Sequence, residues 1–271
     1  MKRIIFTNVN YDKNAGDFWS TPLKYYNFEK YNIEHIHFID IWEALQNESN
    51  QGQCLIKNSL VVIGGGGLIT TEGNFLQQTT EFLVQNNKVI FWGVGSNTFE
   101  KPSYNILSHP NVILSGIRDI VYGIDIEYLP CVSCKHSVFD KNFESTDYLG
   151  AIEHPRHPID VNNIYKITNE TSIDNIINFI GNKEIILSST YHGIYWSQLL
   201  NKKVLYFKTT DKVNSKIINM KHRVPICTNS NYLNKIDQIS KSDNMLAESR
   251  KLNDNFYFKV IELLDNYLIS I

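Results

Sequence analysis

Glu184-Ile185-Ile186-Leu187-Ser188-Ser189-Thr190-Tyr191-His192-Gly193 is the stretch whose reading decides the fold. Four residues of buried-strand character run into small hydroxyl residues, and Ile194 to Leu200 continues as a helix-like run. A strand ending in small polar residues before a helix start gathers backbone N–H groups, hydroxyls and an imidazole at one crevice. In open α/β sheets that crevice lies outside the carboxyl ends of the strands, where ligands sit. His192 is the side chain there that can exchange a proton near neutral pH without a large pKa shift.

The same strand–turn–helix unit recurs on both sides of this stretch. Downstream, Lys203 to Phe207 reads as a strand with Lys212 in the turn beyond, Ser240 to Asn253 is polar, and Phe256 to Ile269 is an apolar-striped helix. Upstream, Thr171-Ser172 opens an amphipathic helix that Gly181-Asn182 closes, and Leu149 to Glu153 reads as a strand. His154-Pro155-Arg156-His157-Pro158 is too rich in proline for a helix or an inner strand.

Farther back, strands are predicted over Lys2–Val9, His35–Ile39, Ser59–Ile63, Lys88–Trp92 and Asn111–Ser115. Helices are predicted from Thr21-Pro22, over Ile41–Asn47 and over Phe75–Asn86. Gly64-Gly65-Gly66-Gly67 and Gly93-Val94-Gly95 then read as glycine-rich turns after two successive strands, where a ligand can approach main-chain N–H groups. Neither matches a Walker loop or the dinucleotide fingerprint. Arg118, after the next strand, offers a fork suited to carboxylate or phosphate, or else pairs with Asp119. Asp17, in the turn after the first strand, either binds a substrate hydroxyl or caps its own turn.

This pattern predicts an α/β fold of two Rossmann-like halves facing each other, with parallel sheets and helices on both faces. The expected halves are residues 1–128 and 129–271, the second including the C-terminal helix.

Composition narrows the classes. Of 271 residues, 42% are apolar and 20% charged, as in a globular protein with a real core. A formal net charge of -2 gives no overall basic field for nucleic acid or an anionic membrane. The apolar run at the N-terminus is too short for a signal peptide, and no window has the roughly 20 apolar residues of a membrane helix. A cytoplasmic protein is expected. Cys131-Val132-Ser133-Cys134 has metal-ligand spacing, but Cys54 and Cys227 are isolated, so two half-buried thiols in a loop are expected and no metal. His35 and His37 would share the polar face of an edge strand, a weak metal signal.

Asn14-x-Gly16-Asp17, Val61 to Leu68, Gly93-Val94-Gly95, Arg118-Asp119 and Tyr191-His192-Gly193 occur in the order seen in polysaccharide pyruvyltransferases, which the chain resembles over residues 4–215. The resemblance implies a two-domain arrangement like that of GT-B glycosyltransferases. It implies phosphoenolpyruvate as donor substrate, with no other cofactor, and a pyruvate ketal formed across two hydroxyls of a glycan sugar with release of phosphate. The family's donor-binding basic residues map onto Arg118, His192 and Lys212. Ser189, Thr190 and Gly193 would complete the donor site, with His192 catalytic. Many members carry an arginine where this chain has Thr190. The acceptor, a sugar nucleotide or a lipid-linked oligosaccharide at the inner membrane face, would meet Asn14, Asp17, Gly65, Gly66 and Gly95.

Two other readings share the architecture. A GT-B glycosyltransferase using a nucleotide sugar would want an acidic residue on the ribose, for which Asp211 is the nearest candidate. A degenerate, glycan-binding member of the family is the other.

Overall fold

The structure, a computed structural model, describes residues 3–10, 13–31, 36–46, 56–124, 126–239, 241 and 244–269. His35, Cys54 and the loop expected over residues 49–52 lie outside the described residues. Seven strands form the first sheet: β1 (Ile4–Asn8), β2 (Ile36–Asp40), β3 (Leu60–Ile63), β4 (Gly66–Ile69), β5 (Lys88–Ser96), β6 (Val112–Ile117) and β7 (Glu127–Tyr128). Five form the second: β8 (Asp147–Glu153), β9 (Tyr165–Thr168), β10 (Lys183–Ser188), β11 (Lys203–Phe207) and β12 (Ile226–Cys227). Within these sheets every described pairing is parallel.

The strand orders are β2-β1-β3-β5-β6-β7, with β4 pairing β5 off this path, and β12-β11-β10-β8-β9. Each half therefore starts with its first strand between the second and the third and then winds on in one direction. The chain is an α/β protein of two Rossmann-like halves, as the alternating strand and helix signals predict.

Why these strands are legible follows from their burial. Along β3 all four residues are buried, and alternate side chains enter different cores. Val61 and Ile63 pack with Ile5, Leu83 and Phe91, whereas Leu60 and Val62 pack with Ile4, Phe6 and Trp92. In β10, Ile186 faces one core while Ile185 and Leu187 face the other.

The helices are α1 (Ala15–Phe18), α2 (Glu43–Gln46), α3 (Phe75–Asn86), α4 (Ile173–Gly181), α5 (Tyr191–Leu199), α6 (Ser215–Ile218), α7 (Tyr232–Ile236) and α8 (Met245–Ile269). Three expectations change here. The helix predicted from Thr21-Pro22 is a single 3₁₀ turn, Pro22–Lys24, because Thr21 makes no capping bond and the chain beyond it lies across α8, where Tyr26 stacks on Tyr257 at 4.5 Å. Gly93-Val94-Gly95 is not a turn; β5 runs through it to Ser96. Gly66-Gly67 likewise opens a strand, with Gly66 at φ +119°, a conformation that favours glycine.

The terminal helix also begins earlier than its apolar stripe. Phe256, Val260 and Leu264, spaced by one turn each, cover the face of the first sheet that carries Ile4, Phe6, Leu60, Val62 and Trp92. Although α8 follows the second half in sequence, it thus packs on the first. Its polar first turns are buried through hydrogen bonds: the Trp92 indole donates to Asn253 Oδ1 (2.9 Å), and Asn253 Nδ2 donates to the Pro130 carbonyl (3.2 Å). Arg250 donates to the Cys134 carbonyl (2.9 Å) and pairs with Asp140. The helix so ties the two halves together near their junction.

Candidate functional site

In this strand order the topological reversal falls beside the first strand of each half, and the ends of β1, β3, β8 and β10 define where a ligand can enter. The loops leaving those ends meet. They enclose a cavity of about 520 Å3 between the halves, lined by Asn14, Asp17 and Gly67 from the first and by His154, Arg156, Thr190, Tyr191 and His192 from the second, with Arg118 and Lys216 beside them.

Arg118 follows β6 and is 3% exposed. Its Nε and Nη1 have no hydrogen-bond partner, and among the described residues it makes no ion pair. Asp119, the alternative partner, makes no ion pair with it: its Oδ2 accepts from the Ser96 N–H (2.6 Å) and the Tyr104 hydroxyl (2.6 Å), while its buried Oδ1 is also unpartnered. The guanidinium lies 3.8 Å from the centre of the Tyr191 ring. Its other side rests on Gly95, where a Cβ would stand 2.3 Å from Nε. A buried guanidinium whose N–H groups meet no hydrogen-bonded counter-ion costs on the order of several kcal/mol, and an aromatic face alone does not offset it. Nε and Nη1 are therefore free to donate to an anion.

His192 sits in the first turn of α5, whose N-cap is Thr190: the Gly193 N–H donates to Thr190 Oγ1 (3.0 Å). The imidazole is buried, and its Nε2 has no partner. Burial, aided by Arg118 and Lys216, pushes its pKa well below 6.5, so without ligand the ring is neutral at neutral pH. The opposite wall is Gly16, where a Cβ would stand 2.0 Å from His192 Nδ1. Only glycine permits that approach.

Two groups complete the constellation. Lys216, in α6, has its pKa lowered to about 8 by burial and by Arg118. Asp17 is raised above its ordinary value by burial, against the opposing pull of Arg118 and Lys216. Asn14 Nδ2 donates to Asp17 Oδ2 (2.6 Å) and Asn14 Oδ1 accepts from Asn169 Nδ2 (3.1 Å), which carries the loop after β1 across to the second half. Around the cavity, Lys13, Arg118, Arg156 and Lys216 face two carboxylates, Asp17 and Glu170.

No protein-family model matches this sequence, and no curated protein matches it. Among solved structures, the chain is similar to a functionally uncharacterized protein from Klebsiella pneumoniae subsp. pneumoniae NTUH-K2044. The two share 12% identity at a TM-score of 0.50, over 78% of this chain and 84% of that one. The likeness is one of fold.

Of the residues singled out in the sequence, Asn14, Asp17, Arg118, Thr190 and His192 line the cavity together. Others do not. Lys212 is exposed in the turn after β11 with Asp211, and the lysine that reaches the cavity is Lys216. Ser189 accepts from the His154 N–H (3.1 Å) and donates to the His157 carbonyl (3.1 Å), so it braces the neighbouring turn. Gly193 spends its N–H on the cap, and a Cβ there would stand 2.2 Å from Ser188 Oγ. Gly65 is bonded to Ser20 through its N–H (3.0 Å) and its carbonyl (3.0 Å). Gly65, Gly66 and Gly95 do not line the cavity. Cys131 and Cys134 are fully buried rather than half-buried, and burial pushes Cys134 up to about 12. Among the described residues no group of three or more His, Cys, Asp or Glu could hold a metal ion. None of the described helices is long and apolar enough to cross a membrane.

Lys216 supplies a pH test with two opposite signs. In the unfolded chain it keeps its proton to 10.5, against about 8 in the fold, so this group adds stability to the unliganded protein as pH rises between those values. Anion affinity should fall over the same range, because the lysine loses its charge. Calorimetric titration with phosphoenolpyruvate across that range, beside thermal melts, reads both. Lys216→Arg should flatten both trends, since arginine stays charged.

Proposed function

We propose that the chain is a polysaccharide pyruvyltransferase that takes phosphoenolpyruvate as donor and forms a ketal on a glycan sugar or its precursor. The observation that carries this reading is Arg118, buried with unpartnered Nε and Nη1 beside a neutral His192 and the Lys216 ammonium. Phosphoenolpyruvate carries a carboxylate and a phosphate, which match an arginine fork and a lysine in one water-poor cleft.

The residues divide the work as follows in this reading. Arg118 and Lys216 hold the donor's two anionic groups. His192, neutral before the donor arrives, takes the proton from an attacking acceptor hydroxyl. That oxygen bonds to the donor's central carbon, and the imidazolium passes the proton it took to the methylene carbon, which becomes methyl. The second hydroxyl then displaces phosphate from the same carbon, and its proton leaves with the phosphate. The donor's negative charge also favours the imidazolium, so the ring can return the proton it took. Asn14 and Asp17 face the same space from the first half and meet the acceptor. Many family members carry an arginine at the position of Thr190; here Lys216 supplies a cation to the same cavity.

Thermal unfolding with added ligands tests the reading without knowledge of the acceptor. A ligand at a hundredfold excess over its Kd, bound only by the folded state, stabilises by about 2.7 kcal/mol. Phosphoenolpyruvate should raise the melting temperature, His192→Ala should reduce the rise, and UDP, GDP and CMP should each have little effect. A shift with one nucleotide and none with phosphoenolpyruvate would instead favour a glycosyltransferase.

A further inference from the structure

The groups assigned to the donor leave one aromatic surface of the cavity unused. Trp42, in the turn between β2 and α2, lines the cavity and is 41% exposed. Its ring stacks on that of Phe75, with centroids 5.4 Å apart and planes 8° from parallel, and Phe75 is itself 37% exposed. The chain's other three tryptophans are used by the fold. Trp92 and Trp196 are buried with their indole N–H groups donated to Asn253 and Ser133, and half-buried Trp19 packs edge-on against His136. A singly exposed apolar side chain needs no account, but a stacked aromatic pair beside a cavity does.

The backbone on both sides of this pair is fixed. The Ile41 N–H donates to the Asn8 carbonyl (3.1 Å). Asp40, at the end of β2, accepts from the Asn10 N–H through Oδ2 (2.9 Å) and from the Trp42 N–H through Oδ1 (2.8 Å). The turn carrying Trp42 is thus tied to the loop after β1, which brings Asn14 and Asp17 to the same cavity. Phe75 opens α3, where Asn74 caps the helix by accepting from the Leu76 N–H (3.0 Å), and Leu76 also lines the cavity.

We propose that Trp42, backed by Phe75, is the platform on which a pyranose ring of the acceptor stacks. A pyranose has a face of C–H groups and a rim of hydroxyls that both donate and accept. The negative π-face of an indole suits the C–H face. Amide and carboxylate side chains suit the rim, and Asn14, Asp17, Asn97 and Glu170 line the cavity with Trp42. A nucleobase could stack on the same ring, but the reaction puts a sugar beside the donor, in the cavity that Trp42 shares with Arg118 and His192. The inference rests on the proposed reaction for the sugar's role as acceptor; the stacking itself requires no donor.

Saturation-transfer NMR of the full chain with the methyl β-pyranosides of glucose, galactose, mannose and N-acetylglucosamine tests it, beside acrylamide quenching of tryptophan fluorescence. At least one pyranoside should bind through its ring C–H protons and shield an indole of the wild type from acrylamide. Trp42→Ala should weaken that binding on the order of tenfold. Trp42→Phe keeps a flat ring and should weaken it less than roughly threefold. Absence of binding by every pyranoside overturns the proposal, and so does binding that Trp42→Ala leaves unchanged. AMP or UMP held by Trp42 where no pyranoside binds would make the platform one for a nucleobase. Thermal shifts with phosphoenolpyruvate keep the two readings apart. A pyranoside bound through Trp42 without any phosphoenolpyruvate shift sinks the donor assignment and leaves the platform standing. A shift that persists in Trp42→Ala, with no pyranoside bound by the wild type, does the reverse.

Discussion

Arg118→Met is expected to melt at a higher temperature than the wild type and to lose phosphoenolpyruvate binding. The two effects have one cause. The guanidinium is buried with Nε and Nη1 unpartnered, so the unliganded fold bears its desolvation without a hydrogen-bonded counter-ion. Replacing buried charge with apolar atoms of similar volume stabilises by on the order of 1–4 kcal/mol. Methionine is long and flexible enough to stay between Gly95 and the Tyr191 ring, although the cation–π contact, worth about 0.5–2 kcal/mol, is lost. The net gain is about 1 kcal/mol, or roughly 2–4 °C in a chain of this size. Binding moves the other way. Hydrogen bonds to charged groups contribute about 1.5–3 kcal/mol each, so losing two weakens the donor by at least roughly a hundredfold. A melting temperature below wild type with donor binding intact would make Arg118 a structural cation, and the proposed reaction would lose its main support.

The architecture was legible because its strands are buried on both faces and its long helices are patterned. Phe75–Asn86 has the bounds its apolar spacing predicts, and β11 runs over Lys203–Phe207 as read. Glycine misled where it served packing. Gly93-Val94-Gly95 looks like a turn, yet it continues a strand because Arg118 must lie flat on Gly95, a contact that no local pattern encodes. Lysine misled through number: Lys208, Lys212 and Lys216 follow one strand, and nothing in spacing says which reaches the cavity. A signal was there in Asn214, whose side chain caps α6 and so sets Lys216 in a first helical turn. The polar start of α8 carried no apolar stripe to mark it as helix, because Asn253 is buried through bonds to Trp92 and Pro130, partners more than a hundred residues away. His192 was legible from its strand–turn–helix setting; its low pKa was not, since Arg118 and Lys216 come from other elements.

Gly16→Ala is expected to cost both stability and turnover, and His192→Ala is expected to relieve the first cost. An ideal Cβ at position 16 stands 2.0 Å from His192 Nδ1 and 2.5 Å from Cγ. One partner must move. The loop cannot retreat freely, because the Ala15 N–H donates to the Asn169 carbonyl (3.0 Å) and Asn14 is bonded to the Asn169 side chain. Trp196 at 5.1 Å and Tyr191 at 5.2 Å crowd the imidazole, so a shift either disturbs that packing or carries the ring into the cavity it lines. Overpacking of this kind costs about 1–3 kcal/mol, and a catalytic group displaced by about 1 Å loses on the order of a hundredfold in rate. Removing the ring leaves room for the methyl group, so in the His192→Ala background Gly16→Ala should cost less than about 0.5 kcal/mol. The difference is a coupling energy of about 1–3 kcal/mol between residues of opposite halves, read from the unfolding of four proteins. Equal costs in both backgrounds would mean that the methyl group meets something other than the imidazole. The two halves would then close on each other without setting the position of His192, and the glycine before Asp17 would carry no information about the reaction.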